Sequence, residues 1–270
     1  MRGGQLAGES HLRPAPPHSS EANRGAEPTT YPPRESEGGA IGASKPKTQP
    51  PRPADAFLTL AADQLSDIEA LRMASERRYA SLTNEDWGKG IPKDNPAALL
   101  LASQIEQLKA FEHGADLALR RIFRKHPLGS WVKDIKGVGE RQAARLIAAT
   151  GDLTWHALYD RPRTIGEVWS NGGLKPGQVR RKGQKCNWNP EVKSRAFVII
   201  TRSLIVARRK RGVSPYADVY YGYKEKHQHK VDEGLITKKH LDNRARRYAA
   251  KRLLKHMQQE WKRVVREQGC

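Results

Sequence analysis

The sequence predicts an all-α fold: a long antiparallel helical hairpin over residues 54–126, then a helix-hairpin-helix domain over residues 127–270 that ends in a basic C-terminal helix. Three observations predict it. Apolar residues recur at 3-4 spacing through two long stretches before residue 126, the period of a helix with one buried face. A Gly-Val-Gly turn at residues 137–139 separates two shorter apolar faces. Positive charge is concentrated late in the chain: residues 170–270 hold 26 of the 49 Lys and Arg but 8 of the 29 Asp and Glu.

Residues 1–53 hold 10 of the 17 prolines and 7 of the 23 glycines, and their large aliphatic side chains are Leu6, Leu12 and Ile41. Such a stretch buries too little apolar surface to offset its ordering entropy, so a disordered tail is expected.

From Ala54 to Leu82, Leu58, Ala61, Leu65, Ile68, Tyr79 and Leu82 keep the helical period, broken by Arg72 and Ser75. A polar loop with Gly88, Gly90 and Pro92 follows. Asn95 then caps a second helix that Pro96 opens, since proline lacks the N–H that a first helical residue leaves unpaired. Its stripe runs Ala98, Leu101, Ile105, Leu108, Ala115, Leu119 and Ile122, with Glu112 the charged interruption. Narrow facing stripes across a short turn describe a coiled-coil hairpin; two ordinary core helices would use the same residues.

After Pro127, Leu128, Trp131, Val132 and Ile135 form one face of a short helix. Lys136-Gly137-Val138-Gly139 turns into a second helix with Ala143, Ala144, Leu146 and Ile147 inward, and Gly151 caps its end. This is a helix-hairpin-helix pattern. Glycines let the backbone approach a nucleic-acid strand, and N–H groups opening the second helix suit a phosphate. Lys136, Arg141 and Arg145 are expected to add charge. A tight turn between packed helices would also need these glycines.

Residues 152–173 read as short helical turns packed by Leu153, Trp155, Leu158, Ile165, Val168 and Trp169. The loop from Gly173 to Asn189 carries Arg180, Arg181, Lys182 and Lys185 beside Trp188, cations suited to phosphates, with the Trp expected to turn inward. A helix from Pro190 buries Phe197, Ile200, Leu204 and Ile205. Tyr216, Tyr220 and Tyr223 share a helical face, which packing explains. The last helix, Lys238 to Glu267, holds 11 basic residues and an apolar face of Leu241, Ala245, Tyr248, Ala249, Leu253, Met257, Trp261 and Val264. Arg244, Arg247 and Lys251 are its candidate phosphate contacts.

The net charge of +20 exceeds the roughly 2 to 8 that solubility asks of a small domain, and so points to a polyanionic partner, nucleic acid before an anionic membrane. No run approaches the roughly 18 apolar residues of a membrane span. A protein of the cytoplasm, nucleoid-associated, without a membrane partner, is expected. Cys186 and Cys270 cannot make a zinc site by themselves. His227, His229 and His240 cluster in sequence, but a solvated turn is the favoured reading; no metal and no cofactor is expected. No P-loop, HExxH, dinucleotide fingerprint or nucleophile elbow occurs. A glycosylase reading has Asp152 or Asp160 as an acid, but the hairpin is followed by Glu140-Arg141, with no catalytic Lys at that point.

From about residue 54 to 266, the order of parts resembles the C-terminal half of insertion-sequence transposases that join a DEDD RuvC-like domain, a coiled coil and a helix-hairpin-helix transposase domain. The resemblance runs through Ile135 to Gly139, Ala143 to Ala149, Gly151-Asp152, Gly173-Leu174-Lys175-Pro176, Ser194-Arg195-Ala196, Tyr216 to Tyr223, Arg244 to Arg247 and Lys251 to Leu254. It implies contact with DNA and a structured guide RNA. It also implies a nucleophilic serine from a Ser-Gly pair, but here the corresponding loop reads Arg181-Lys182-Gly183, and residues 1–53 are not expected to supply a RuvC-like domain. The resemblance therefore implies a DNA-binding relative without catalysis of its own. The alternative is a residual recombinase whose partner supplies the nuclease, and a homodimer through residues 54–126 fits either.

Overall fold

The computed structural model describes residues 53–156, 158–178, 182–209 and 212–267, apart from the side chains of 53–55 and 209. The expected tail, up to residue 52, lies outside them. The architecture is all-α, in the order α1 (Pro53–Thr83), α2 (Pro96–Arg124), α3 (Gly129–Asp134), α4 (Glu140–Thr150), β1 (Trp155–His156), β2 (Arg161–Pro162), α5 (Ile165–Asn171), α6 (Pro190–Arg209), α7 (Pro215–His227), α8 (His229–Asp232) and α9 (Lys238–Glu267).

Helices α1 and α2 form an antiparallel hairpin. In the turn, Asn84 Oδ1 accepts from the N–H groups of Asp86 and Trp87 at 2.9 and 3.0 Å. The Asn95 side chain then caps α2 by accepting from Ala97 N at 2.9 Å. The two expected stripes are both real and both interrupted, and the interruptions meet: Arg72 of α1 pairs with Glu112 of α2. A charge in each stripe that would be costly alone is thus satisfied by its counterpart.

The hairpin is also more than a free rod. At its base Leu58, Leu65, Leu119 and Phe123 join one continuous core with Val132, Leu146, Ile200 and Leu253, so at that end the stripes pack as ordinary core helices do. Its outer face leaves Phe57, Leu60 and Leu71 of α1 and Leu99, Leu100 and Phe111 of α2 exposed.

Helix α4 lies against α6, α1 and α2. Ala143 and Ala144 are fully buried there, and small side chains are what let helix axes come close. Helix α9 runs beneath the domain, with Leu253, Leu254, Met257 and Trp261 fully buried. Buried Gln258 of α9 donates from Nε2 to the carbonyls of Leu153 and Arg163 at 2.7 and 3.0 Å, tying this helix to the segment after α4.

Three local expectations need correction. Residues 155–156 and 161–162 form a two-residue antiparallel strand pair in place of helical turns, with Trp155 opposite Pro162. The reason is upstream: Asp152 Oδ1 accepts from the N–H groups of Thr154 and Trp155, a side-chain turn that competes with helix. Ile205 is 51% exposed, whereas Ile199 and Ala196 take its place in the buried face of α6. Tyr248 is 36% exposed and does not belong to the core side of α9. Among the described residues, no helix is long and apolar enough to cross a membrane.

Candidate nucleic-acid interface

The helix-hairpin-helix turn is built as expected, but its two glycines do different work. Gly137 has φ of +90°, and a Cβ there would lie 2.8 Å from both Cα and Oγ of Ser203 in α6 and 3.1 Å from Ser214 Oγ. Its freedom is used for packing within the protein. Gly139 caps α4 at φ −83°, and a Cβ there would meet nothing within 4 Å. Val138 between them is a core anchor, and Lys136 is exposed.

The consequence is measurable. Gly137→Ala adds backbone strain and overpacking and is expected to cost about 2–4 kcal/mol. Gly139→Ala is expected to cost less than about 1 kcal/mol, the difference between these residues at a helix N-cap. Comparison of urea midpoints checks the pair, and equal losses would contradict the assignment. Gly139, unlike Gly137, is a clean probe of strand approach.

Arg141 and Arg145 were expected beside the turn, facing a phosphate; the structure turns them inward. Arg145 is 4% exposed, donating from Nη1 to Glu69 Oε1 at 2.9 Å and from Nη2 to Ser66 Oγ at 2.8 Å. Arg141 pairs with Glu69, and its Nη2 lies 3.4 Å from Glu112 Oε1. Both sit on the face of α4 against α1 and α2, where the carboxylates of the hairpin wait. Burial would raise the Glu69 carboxyl, but the hydrogen bond and charge of Arg145, with those of Arg141, hold it below the ordinary glutamate value. The first turn of α4 also has its own anion: Glu140 pairs with Arg124 at 2.9 Å, which holds that carboxyl low.

Among the described residues, α6 and α9 bring together cations that lie outside these ion pairs. At about 100° per residue, Arg244, Arg247, Lys251 and Lys255 fall along one side of α9. Arg244 is exposed, and Arg247 and Lys251 are half-buried. Lys193 reaches the same place from α6. Burial pushes the Lys193 and Lys251 ammonium groups below the ordinary lysine value, and the Arg247 charge pushes both the same way. No carboxylate offsets either shift. Neighbouring Arg195 and Arg246 are by contrast paired with Glu191 and Asp242 at 3.0 and 2.8 Å. Aromatic rings brace the cluster: Lys251 Nζ is 4.8 Å from the Trp169 ring centroid, and Lys193 Nζ is 5.9 Å from that of Phe197. Trp169 Nε1 also donates to the Lys251 carbonyl at 3.2 Å.

In the basic loop, Lys182 and Lys185 are exposed and line a shallow depression with Trp188, whose ring lies against Gly173. Arg180 and Arg181 lie outside the described residues. Comparisons with protein-family models, curated proteins and solved structures find no match to this chain.

Among the described residues, no group of three or more His, Cys, Asp and Glu is arranged to hold a metal ion. His227 lies 4.4 Å from Tyr223, centroid to centroid, with the ring planes tilted by 51°. Asp152 is engaged in the turn after α4, and Asp160 sits at the tip of the strand pair with φ of +47°. Sequence reasoning missed Lys193. Its position three residues after Pro190 was a visible signal of a first-turn residue on a new helix, but nothing in the chain marks it as the neighbour of Arg247.

Proposed function

We propose that the chain is a nucleic-acid-binding protein that grips the phosphate backbone through the α6–α9 face. The observation that carries this is the Lys193, Arg247 and Lys251 cluster, braced by Trp169 and Phe197, in which burial first and the Arg247 charge second hold both lysines below the ordinary lysine value with no carboxylate to offset them. A fold keeps such a cluster at an electrostatic cost, and a row of phosphates relieves it. Arg244 extends the row, and Lys182 and Lys185 of the basic loop, with Lys136 and the open Gly139 N-cap of α4, are the further contacts proposed. These contacts hold backbone and carry no base reading.

Kinship to the helix-hairpin-helix part of the transposases, binding of DNA with structured RNA second, and the absence of autonomous catalysis belong to the same proposal. So does a homodimer through residues 54–126, supported by the exposed apolar side chains of α1 and α2.

The test is fluorescence anisotropy of the full chain with labelled duplex DNA, single-stranded DNA and structured RNA across a salt series, with light scattering to read the mass of the free chain. Binding is expected to weaken steeply with salt, by roughly 0.9 in the logarithmic slope per phosphate neutralised on duplex. The labelled duplex is expected to remain uncut with a divalent metal present. No binding at low salt, or a flat salt response, would overturn the reading.

A further inference from the structure

We propose that the groove between α7 and α9 is a binding site for one unpaired nucleotide. The inference rests on the nucleic-acid reading above and deepens it, by giving a place where a base leaves the strand and is held.

The groove has a volume of about 400 Å³ and includes Tyr223, Lys226 and His227 from α7 with Tyr248, Arg252 and His256 from α9. That size is within the roughly 300–1,000 Å³ of small-molecule sites. Its walls combine two things. The first is an aromatic wall: Tyr223 and Tyr248 lie with ring centroids 5.0 Å apart and planes at 33°, and His227 lies 4.4 Å from Tyr223 with its plane tilted by 51°. The second is uncompensated cation. Arg252 lies 5.5 Å from the Tyr248 centroid and donates from Nη2 to its hydroxyl at 3.0 Å, which orients the guanidinium and leaves other N–H groups to donate. Lys226 is exposed on the facing wall. No carboxylate lines the groove.

The two histidines complete the chemistry. Desolvation, and then the neighbouring Lys and Arg charges, push both His227 and His256 below the ordinary imidazole value. Neutral imidazoles each present one donor and one acceptor, as base edges do. A nucleotide has the matching parts: a flat base for the tyrosines, polar edges for the histidines and a phosphate for Arg252 and Lys226. Inorganic phosphate or an acidic side chain would use the cations alone and leave the rings without a partner.

Two measurements test this. In the first, the full chain and its Tyr248→Ala variant, which keeps the charge unchanged, are titrated with single-stranded DNA and with duplex DNA. Loss of a stacking ring is expected to weaken single-strand binding by about tenfold and to leave duplex binding within about twofold. Equal loss on both, or no loss on the single strand, would overturn the proposal, and a thermal melt establishes that the variant is folded. In the second, histidine ring NMR spectra of the wild-type chain are recorded with adenosine monophosphate and with inorganic phosphate, His227 and His256 being assigned by replacement with Gln. The nucleotide is expected to shift both resonances at concentrations where phosphate does not. Equal shifts with both, or none with either, would overturn it. If the chain binds neither form of DNA, the proposed function falls, while the nucleotide spectra still decide the groove.

Discussion

Replacement of Glu69 by Gln is expected to lower the stability of the chain by about 3 kcal/mol, near the low end of what breaking a buried ion pair costs. The carboxylate is the main partner of Arg145, whose side chain is 4% exposed, and it also pairs with Arg141. Without it a guanidinium stays buried with Ser66 and a weak amide acceptor, and α4 loses its polar tie to α1. The low end applies because Glu69 itself keeps 18% exposure. Glu106→Gln, whose Lys109 partner is well exposed, serves as the control and is expected to change stability by less than about 0.5 kcal/mol.

The pH response follows from the same site. A carboxyl held below its unfolded value stabilises the fold fully above that value, and the contribution is lost as pH falls through the folded one. The stability gap between wild type and Glu69→Gln is therefore expected to be largest at neutral pH and to close as pH falls below about 4, the glutamate range. Urea unfolding at several pH values checks this, and a gap that widens in acid would contradict it.

Neutralising Lys193, Arg247 and Lys251 together, each to Gln, is expected to weaken duplex binding by about a hundredfold at 0.15 M salt. Each neutralised phosphate contributes roughly 0.9 to the logarithmic salt slope, so three contacts are worth about two orders of magnitude at that concentration. Stability is expected to hold, because the variant removes like-charge repulsion between Arg247 and the two lysines and leaves the core of α6 and α9 in place. Anisotropy with a parallel urea melt separates the two effects. A weakened fold with unchanged affinity would make the cluster structural.

The elements of this fold were legible because each is marked locally. Asn95-Pro96 opens α2, Gly151 closes α4, and α9 spans Lys238–Glu267 as its periodicity predicts. The turn Gly137-Val138-Gly139 was legible as a turn for the same reason. What the glycines face was not: only the fold shows that Ser203 crowds Gly137 and that Gly139 is open. The arginines of α4 show the limit best. Their 3-4 spacing fits an exposed basic stripe after the turn as well as a buried ion-pair face, and the choice depends on Glu69 and Glu112, on helices far away in sequence. Glu112, which breaks the stripe of α2, was a partial signal, since a charge in a buried face needs a partner; Glu69 stood outside the stripe of α1 and carried none. The strand pair at 155–162 was hidden by apolar residues that suit either structure, with Asp152 deciding the outcome through its turn.

The account stands most directly on where a polyanion docks. The salt slope of duplex binding can be measured for wild type, for the Lys193, Arg247 and Lys251 triple variant, and for a variant that neutralises three exposed cations on α1 and the hairpin loop, Arg77, Lys89 and Lys93. Both variants lower the net charge by the same amount. The α6–α9 variant is predicted to flatten the slope by roughly 0.9 per residue while the hairpin variant leaves it near wild type. Equal slopes for the two variants would mean that binding follows total charge and that the α6–α9 face is not the interface.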